Sequence, residues 1–105
     1  MIKEVFELFT GAIKSAAEDV SGKMAIKSEV GDYMMAGVHA QDLACFYKFL
    51  DDLSDTDDVD KLRKYDDWGF IKWWVLDGDG FEYITEYAHE NGLEDYEDLV
   101  LGLFD

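Results

Sequence analysis

Proline is absent from this chain, cysteine occurs once, histidine twice, and only nine of 105 residues are basic. Each scarcity excludes something. Without proline, and without a Gly- or Ser-rich stretch, no linker composition divides the chain. A length of 105 residues suits one core, so a single domain over residues 1–105 is expected. Cys45 alone forms no intramolecular disulfide and has no metal-ligand spacing around it. No run approaches the roughly 18 apolar residues of a membrane span. Met1-Ile2-Lys3-Glu4-Val5 does not open a signal peptide, so the expectation is a cytoplasmic protein with no membrane partner.

Catalytic patterns are missing too. No Gly-x-Ser-x-Gly, P-loop or dinucleotide-binding glycine pattern occurs. Cys45 sits in an apolar helical stretch, where a buried structural thiol is expected. Paired carboxylates are abundant, but abundance without a pocket indicates no raised pKa. The expectation is a protein that is not an enzyme and needs no cofactor.

What is present is acid. Aspartate and glutamate number 25, for a formal net charge of −16, beside 49% hydrophobic and 15% aromatic residues. That apolar content separates the chain from disordered acidic tails. The charge is polarised: residues 1–50 hold seven acids and five bases, residues 51–105 hold eighteen and four. No Lys or Arg follows Lys72. Such a field repels phosphates, so direct nucleic-acid binding is not expected.

Local patterning predicts an α+β fold: a small antiparallel sheet of about three strands packed with an N-terminal amphipathic helix and further helices. Ile2, Val5, Phe6, Phe9, Ile13, Ala16, Ala17 and Val20 recur at helical steps, with a stop at Ser21-Gly22. Met24, Ile26, Ser28 and Val30 alternate as in a strand, with a Gly31-Asp32 hairpin turn and a returning strand over 33–38. A helix is predicted over 40–53, then an acidic loop over 51–60 and a short helix near 59–65. The apolar run 69–76 reads as a strand buried on both faces. Over 81–91, alternation of Phe81, Tyr83, Thr85 and Tyr87 competes with a helix; the Asp79/Glu82 capping-box spacing and a shared face of Phe81, Ile84 and Ala88 favour the helix. Asn91-Gly92 stops it, and another helix follows over 94–104.

Two metal readings fail on position. An EF-hand loop needs acidic or amide ligands at positions 1, 3 and 5, Gly at 6 and Glu at 12. Counted from Asp77, positions 5, 6 and 12 hold Phe81, Glu82 and Ala88. Counted from Asp55, Val59 and Asp60 occupy positions 5 and 6. Glu86-x-x-His89 has di-iron spacing, but His39 has no partner at that spacing for a second motif. No metal site is predicted.

The acids themselves are then the candidate binding surface. Glu82, Glu86 and Glu90 repeat every four residues; Glu94, Asp95, Glu97 and Asp98 form a second cluster; Asp51, Asp52, Asp55, Asp57, Asp58 and Asp60, with Asp66 and Asp67, form a third. Helical acids four apart are separated by about 6 Å of rise, and duplex DNA carries a charge per about 1.7 Å. Two neighbouring acidic elements therefore approximate a phosphate track, with Trp68, Trp73, Tyr83, Tyr87 and Tyr96 as potential anchors. In composition the chain resembles acidic DNA mimics and nuclease-neutralising inhibitors, such as anti-restriction and anti-CRISPR proteins of phages and mobile elements, or immunity proteins. The resemblance implies a basic partner, a nucleic-acid-binding protein or nuclease. The alternative is an adaptor module whose acidity serves solubility.

Overall fold

The computed structural model describes residues 2–56, 58–66 and 69–104. Six α-helices follow one another: α1 (Ile2–Glu29), α2 (Tyr33–Ser54), α3 (Val59–Tyr65), α4 (Phe70–Leu76), α5 (Gly80–Asn91) and α6 (Glu97–Leu101). Single 3₁₀ turns at Glu94–Tyr96 and Gly102–Phe104 flank the last. Among the described residues there is no strand, so the expected α+β fold with its antiparallel sheet is corrected to a helical bundle.

α1 is the axis of the bundle. Its 28 residues rise about 42 Å, close to the 45 Å long dimension of the molecule. Val5, Leu8, Phe9, Ala12, Ile13, Ala16 and Ala17 are all buried, a stripe wide enough to receive helices on two sides. Phe9 meets Phe49 of α2 at 5.4 Å and Phe104 edge-on at 6.0 Å. Phe46 of α2 packs edge-on against Phe70 and Trp74 of α4. Trp74 in turn stacks on Tyr83 of α5 at 6.2 Å. Such aromatic pairs add about 0.5–1.5 kcal/mol each beyond their burial. The Arg63 guanidinium of α3 donates to the Leu103 carbonyl, tying the C-terminal turn to the body.

The three predicted strands are helical for identifiable reasons. Residues 23–29 continue α1 past the expected Ser21-Gly22 stop. Gly22 is exposed and a Cβ there would meet nothing within 4 Å, and Ala25, Lys27 and Glu29 favour helix. Their apparent alternation marks no buried face, since Met24 packs on the core while Ile26 and Val30 are 60% and 70% exposed. The Gly31-Asp32 turn is present, but it joins helices. Gly31 adopts φ +79° and Asp32 N–H bonds back to Lys27 O at 2.9 Å, closing α1. The Asp32 carboxylate then accepts from Met35 N–H and opens α2. Residues 33–38 thus begin a helix instead of a returning strand.

The run 69–76 has no strand to pair with among the described residues. It buries Ile71, Trp74 and Val75, at helical steps of three and one, with Gly69 left-handed at φ +66° before it. Asp66 supplies the cap: its two carboxylate oxygens accept from Ile71 N–H at 2.6 Å and Lys72 N–H at 2.9 Å. Residues 80–91 are helical, ending at Gly92 with φ +68° and Leu93 N–H on Ala88 O. Two details of that prediction are corrected. The Asp79 side chain makes no cap bond, and Phe81 is exposed while Ile84 and Ala88 are buried. No helix among the described residues is long and apolar enough to cross a membrane.

Candidate functional site

α5 lies against α1 because two contacts require small or polar partners. Gly11 of α1 has no Cβ, and one there would overlap the Tyr87 ring. Eight residues on, and so on nearly the same face, Asp19 Oδ2 accepts from the Tyr83 hydroxyl at 2.6 Å. Gly11, Ser15 and Asp19 therefore form the floor on which α5 rests. Gly80 opens α5 for a similar reason: a Cβ would lie 2.6 Å from Trp74 O.

This docking brings two rows of carboxylates together. A groove lined by Ser15, Glu18 and Asp19 of α1 and Tyr83, Glu86, Tyr87 and Glu90 of α5 runs into a second hollow lined by Asp19, Asp79, Glu82, Tyr83 and Glu86. Five acids from two helices, with Asp79 just before α5, thus surround two phenols, and no Lys or Arg lines either hollow. Burial pushes the Tyr83 hydroxyl well above its ordinary range, and the Asp19, Asp79 and Glu86 carboxylates push it further. Burial raises the pKa of Asp42 on α2, opposed by His39 and reinforced by Asp79.

The predicted binding acids divide by location. Glu82, Glu86 and Glu90 share the groove as their spacing implied. Asp66 is consumed by capping α4, and Asp58 caps α3 by accepting from Asp60 N–H at 3.0 Å. Asp52 is bonded to Lys48 at 3.0 Å. Asp51, Asp55 and Asp60 are exposed at the α2–α3 end, outside the groove. Glu94, Asp95, Glu97 and Asp98 belong to the C-terminal turn and α6, with Glu94 3.6 Å from His89. Asp57 and Asp67 lie outside the described residues, as does Trp68.

Sequence reasoning missed Glu18, Asp19 and Asp79. The first two sit in the half whose charge is nearly balanced and join the field only through helix packing. One signal was available: Gly11, Ser15 and Asp19 at four-residue steps mark a helix face too small to be core and suited to close approach.

The arrangement can accept guanidinium and ammonium donors. Among the described residues, no group of three or more His, Cys, Asp or Glu side chains is placed to hold a metal ion. Cys45 is half-buried, not buried as expected. It lines a separate hollow with Lys48, Tyr65, Asp66 and Phe70, which contains no histidine. At the α4–α5 corner Trp73, Leu76 and Phe81 are exposed beside Asp77, Asp79 and Glu82. Comparison of the chain with family models, with curated proteins and with solved structures returns no match.

Proposed function

We propose that this chain is an acidic, non-enzymatic inhibitor that occupies the nucleic-acid site of a basic protein, with the α1–α5 groove as its contact face. The observation that supports this is the double row of Glu18, Asp19, Asp79, Glu82, Glu86 and Glu90 without an intervening cation. A single helical row places charges about 6 Å apart; a second row beside it raises the density toward that of a phosphate backbone. Tyr83 and Tyr87 lie within the rows and offer apolar contact that charge alone lacks. Long-range complementarity speeds association and makes it salt-sensitive.

The reading is tested by immobilising the protein, capturing from a host lysate, and eluting with either salt or duplex DNA. Basic nucleic-acid-binding proteins released by DNA at constant ionic strength are expected. Retention of only neutral or acidic proteins, whatever the salt, removes the reading.

A second reading has its own observation. Trp73, Leu76 and Phe81 form an exposed apolar corner, as an adaptor's contact surface does. An adaptor would bind through this corner and tolerate neutralisation of Glu82, Glu86 and Glu90.

A further inference from the structure

The α1–α2 hairpin extends past the rest of the bundle. Asp19 of α1 bonds Tyr83 of α5, and Asp42 of α2 stands one turn before Phe46, which packs edge-on against Trp74, the ring that stacks on Tyr83. Beyond that level α1 continues for ten residues, about 15 Å; Val20 and Met24 still pack on the core, and the rest of the segment is largely exposed. Buried side chains on α1 stop at Ala17, and Ala36 of α2 packs outside the main core.

This segment continues the face that α5 covers. Ile26 stands seven residues after Asp19, and Met35 and Val38 seven and four before Asp42, so helical periodicity puts these three on the α5 side, with Val30 in the turn just past the end of α1. All four are exposed, as is the flanking Met34 at 81%. The charge of this segment is different from the body's. Residues 20–41 hold Lys23, Lys27, Glu29 and Asp32, a formal balance of zero in a chain of −16, with Lys27 3.8 Å from Asp32.

We propose that this distal face is a self-association surface, on which a second copy of the chain packs with two-fold symmetry. Area and charge both select that occupant. The exposed parts of Ile26, Val30, Met34, Met35 and Val38 amount to roughly 500–580 Å² per chain, so complete pairing buries about 1,000–1,150 Å², just above the roughly 1,000 Å² that a specific interface must clear. A basic partner is drawn to the body and gains nothing from a neutral face. An anionic lipid surface repels the chain as a whole. A second copy meets no net repulsion on this neutral face, and antiparallel overlap leaves the acidic bodies roughly 15 Å apart, beyond the Debye length of about 8 Å at physiological salt. This surface is separate from the α1–α5 groove, and its failure leaves the inhibitor reading standing.

Sedimentation velocity tests it across about 1–500 µM protein and from about 50 to 500 mM NaCl. A monomer–dimer equilibrium is expected whose dimer fraction rises with concentration and with salt, the reverse of the salt response of the basic complex. The variant I26E/V38E alters only exposed side chains, and its helicity is checked by circular dichroism. It is expected to weaken the dimer by roughly tenfold or more through like-charge contact. M34E serves as a second variant of the same face. A wild-type chain that stays monomeric throughout overturns the proposal, as does I26E/V38E dimerising like wild type. Flotation of a monomeric chain with phosphatidylcholine vesicles assigns the face to lipid and equally overturns it.

Discussion

The Tyr83 hydroxyl donates to Asp19 Oδ2 across 2.6 Å, joining helices whose residues are 64 positions apart in sequence. The same bond sets the width of the acidic groove, because the carboxylates of α1 and α5 stand on either side of it. Burial, followed by the neighbouring carboxylates, holds the hydroxyl protonated well above the ordinary tyrosine value of 10.0. Its stability contribution is therefore complete below that ordinary value and is lost as pH rises through the higher folded one. Alkaline titration followed by phenolate absorbance is expected to show one tyrosine ionising after the others. Y83F should remove that late phase and cost about 0.5–1.5 kcal/mol of stability. A late phase that survives in Y83F contradicts the assignment.

Asp42 titrates with the opposite consequence near neutrality. Burial raises its folded pKa above 3.8, so the native state prefers the proton. That preference stabilises fully below the unfolded value and is lost as pH rises through the folded one. D42N is expected to unfold at a higher temperature than wild type at pH 7, with the advantage vanishing in acid. Thermal melts at both pH values check the sign.

Glycines provide a contrast within one fold. A Cβ at Gly80 meets Trp74 O at 2.6 Å and the Trp74 ring at 2.7 Å, and G80A is expected to cost about 1–3 kcal/mol by overpacking. Gly22 lies inside α1 with open space around it, and G22A is expected to add about 0.5–1 kcal/mol. Urea denaturation of the two variants should move in opposite directions.

Asp66 separates a structural acid from a binding one. D66A removes both bonds that open α4 and is expected to lower stability by about 1–2 kcal/mol, as lost caps do. Its effect on partner binding, at a temperature where it is folded, should be slight.

Much of the helix content was legible in the sequence, and the sheet was misread for two physical reasons. Over residues 24–30, alternation and helical spacing coincide for so short a segment, and only the side-chain exposure of Ile26 and Val30 tells them apart. Over 69–76, a continuous apolar run fits a buried strand or a buried helix equally. What decides is the availability of a pairing strand, a tertiary fact. Helix α5 was legible because signals flank it, Gly92 closing it with φ +68°. The groove was half legible. Glu82, Glu86 and Glu90 announce themselves by spacing, whereas Glu18 and Asp19 acquire their role only when Gly11 admits Tyr87. Charge density misled in the other direction at Asp58 and Asp66, whose carboxylates serve helix ends.

The central claim is that the α1–α5 groove, and not bulk acidity, contacts a basic partner. The direct test compares two variants of equal charge loss in lysate capture with DNA elution. E82Q/E86Q/E90Q neutralises one row of the groove, and D51N/D55N/D60N removes three exposed acids at the α2–α3 end. The account expects the first to lose the DNA-elutable basic protein and the second to retain it near the wild-type level. Equal losses in both, or full retention in the first, contradict it.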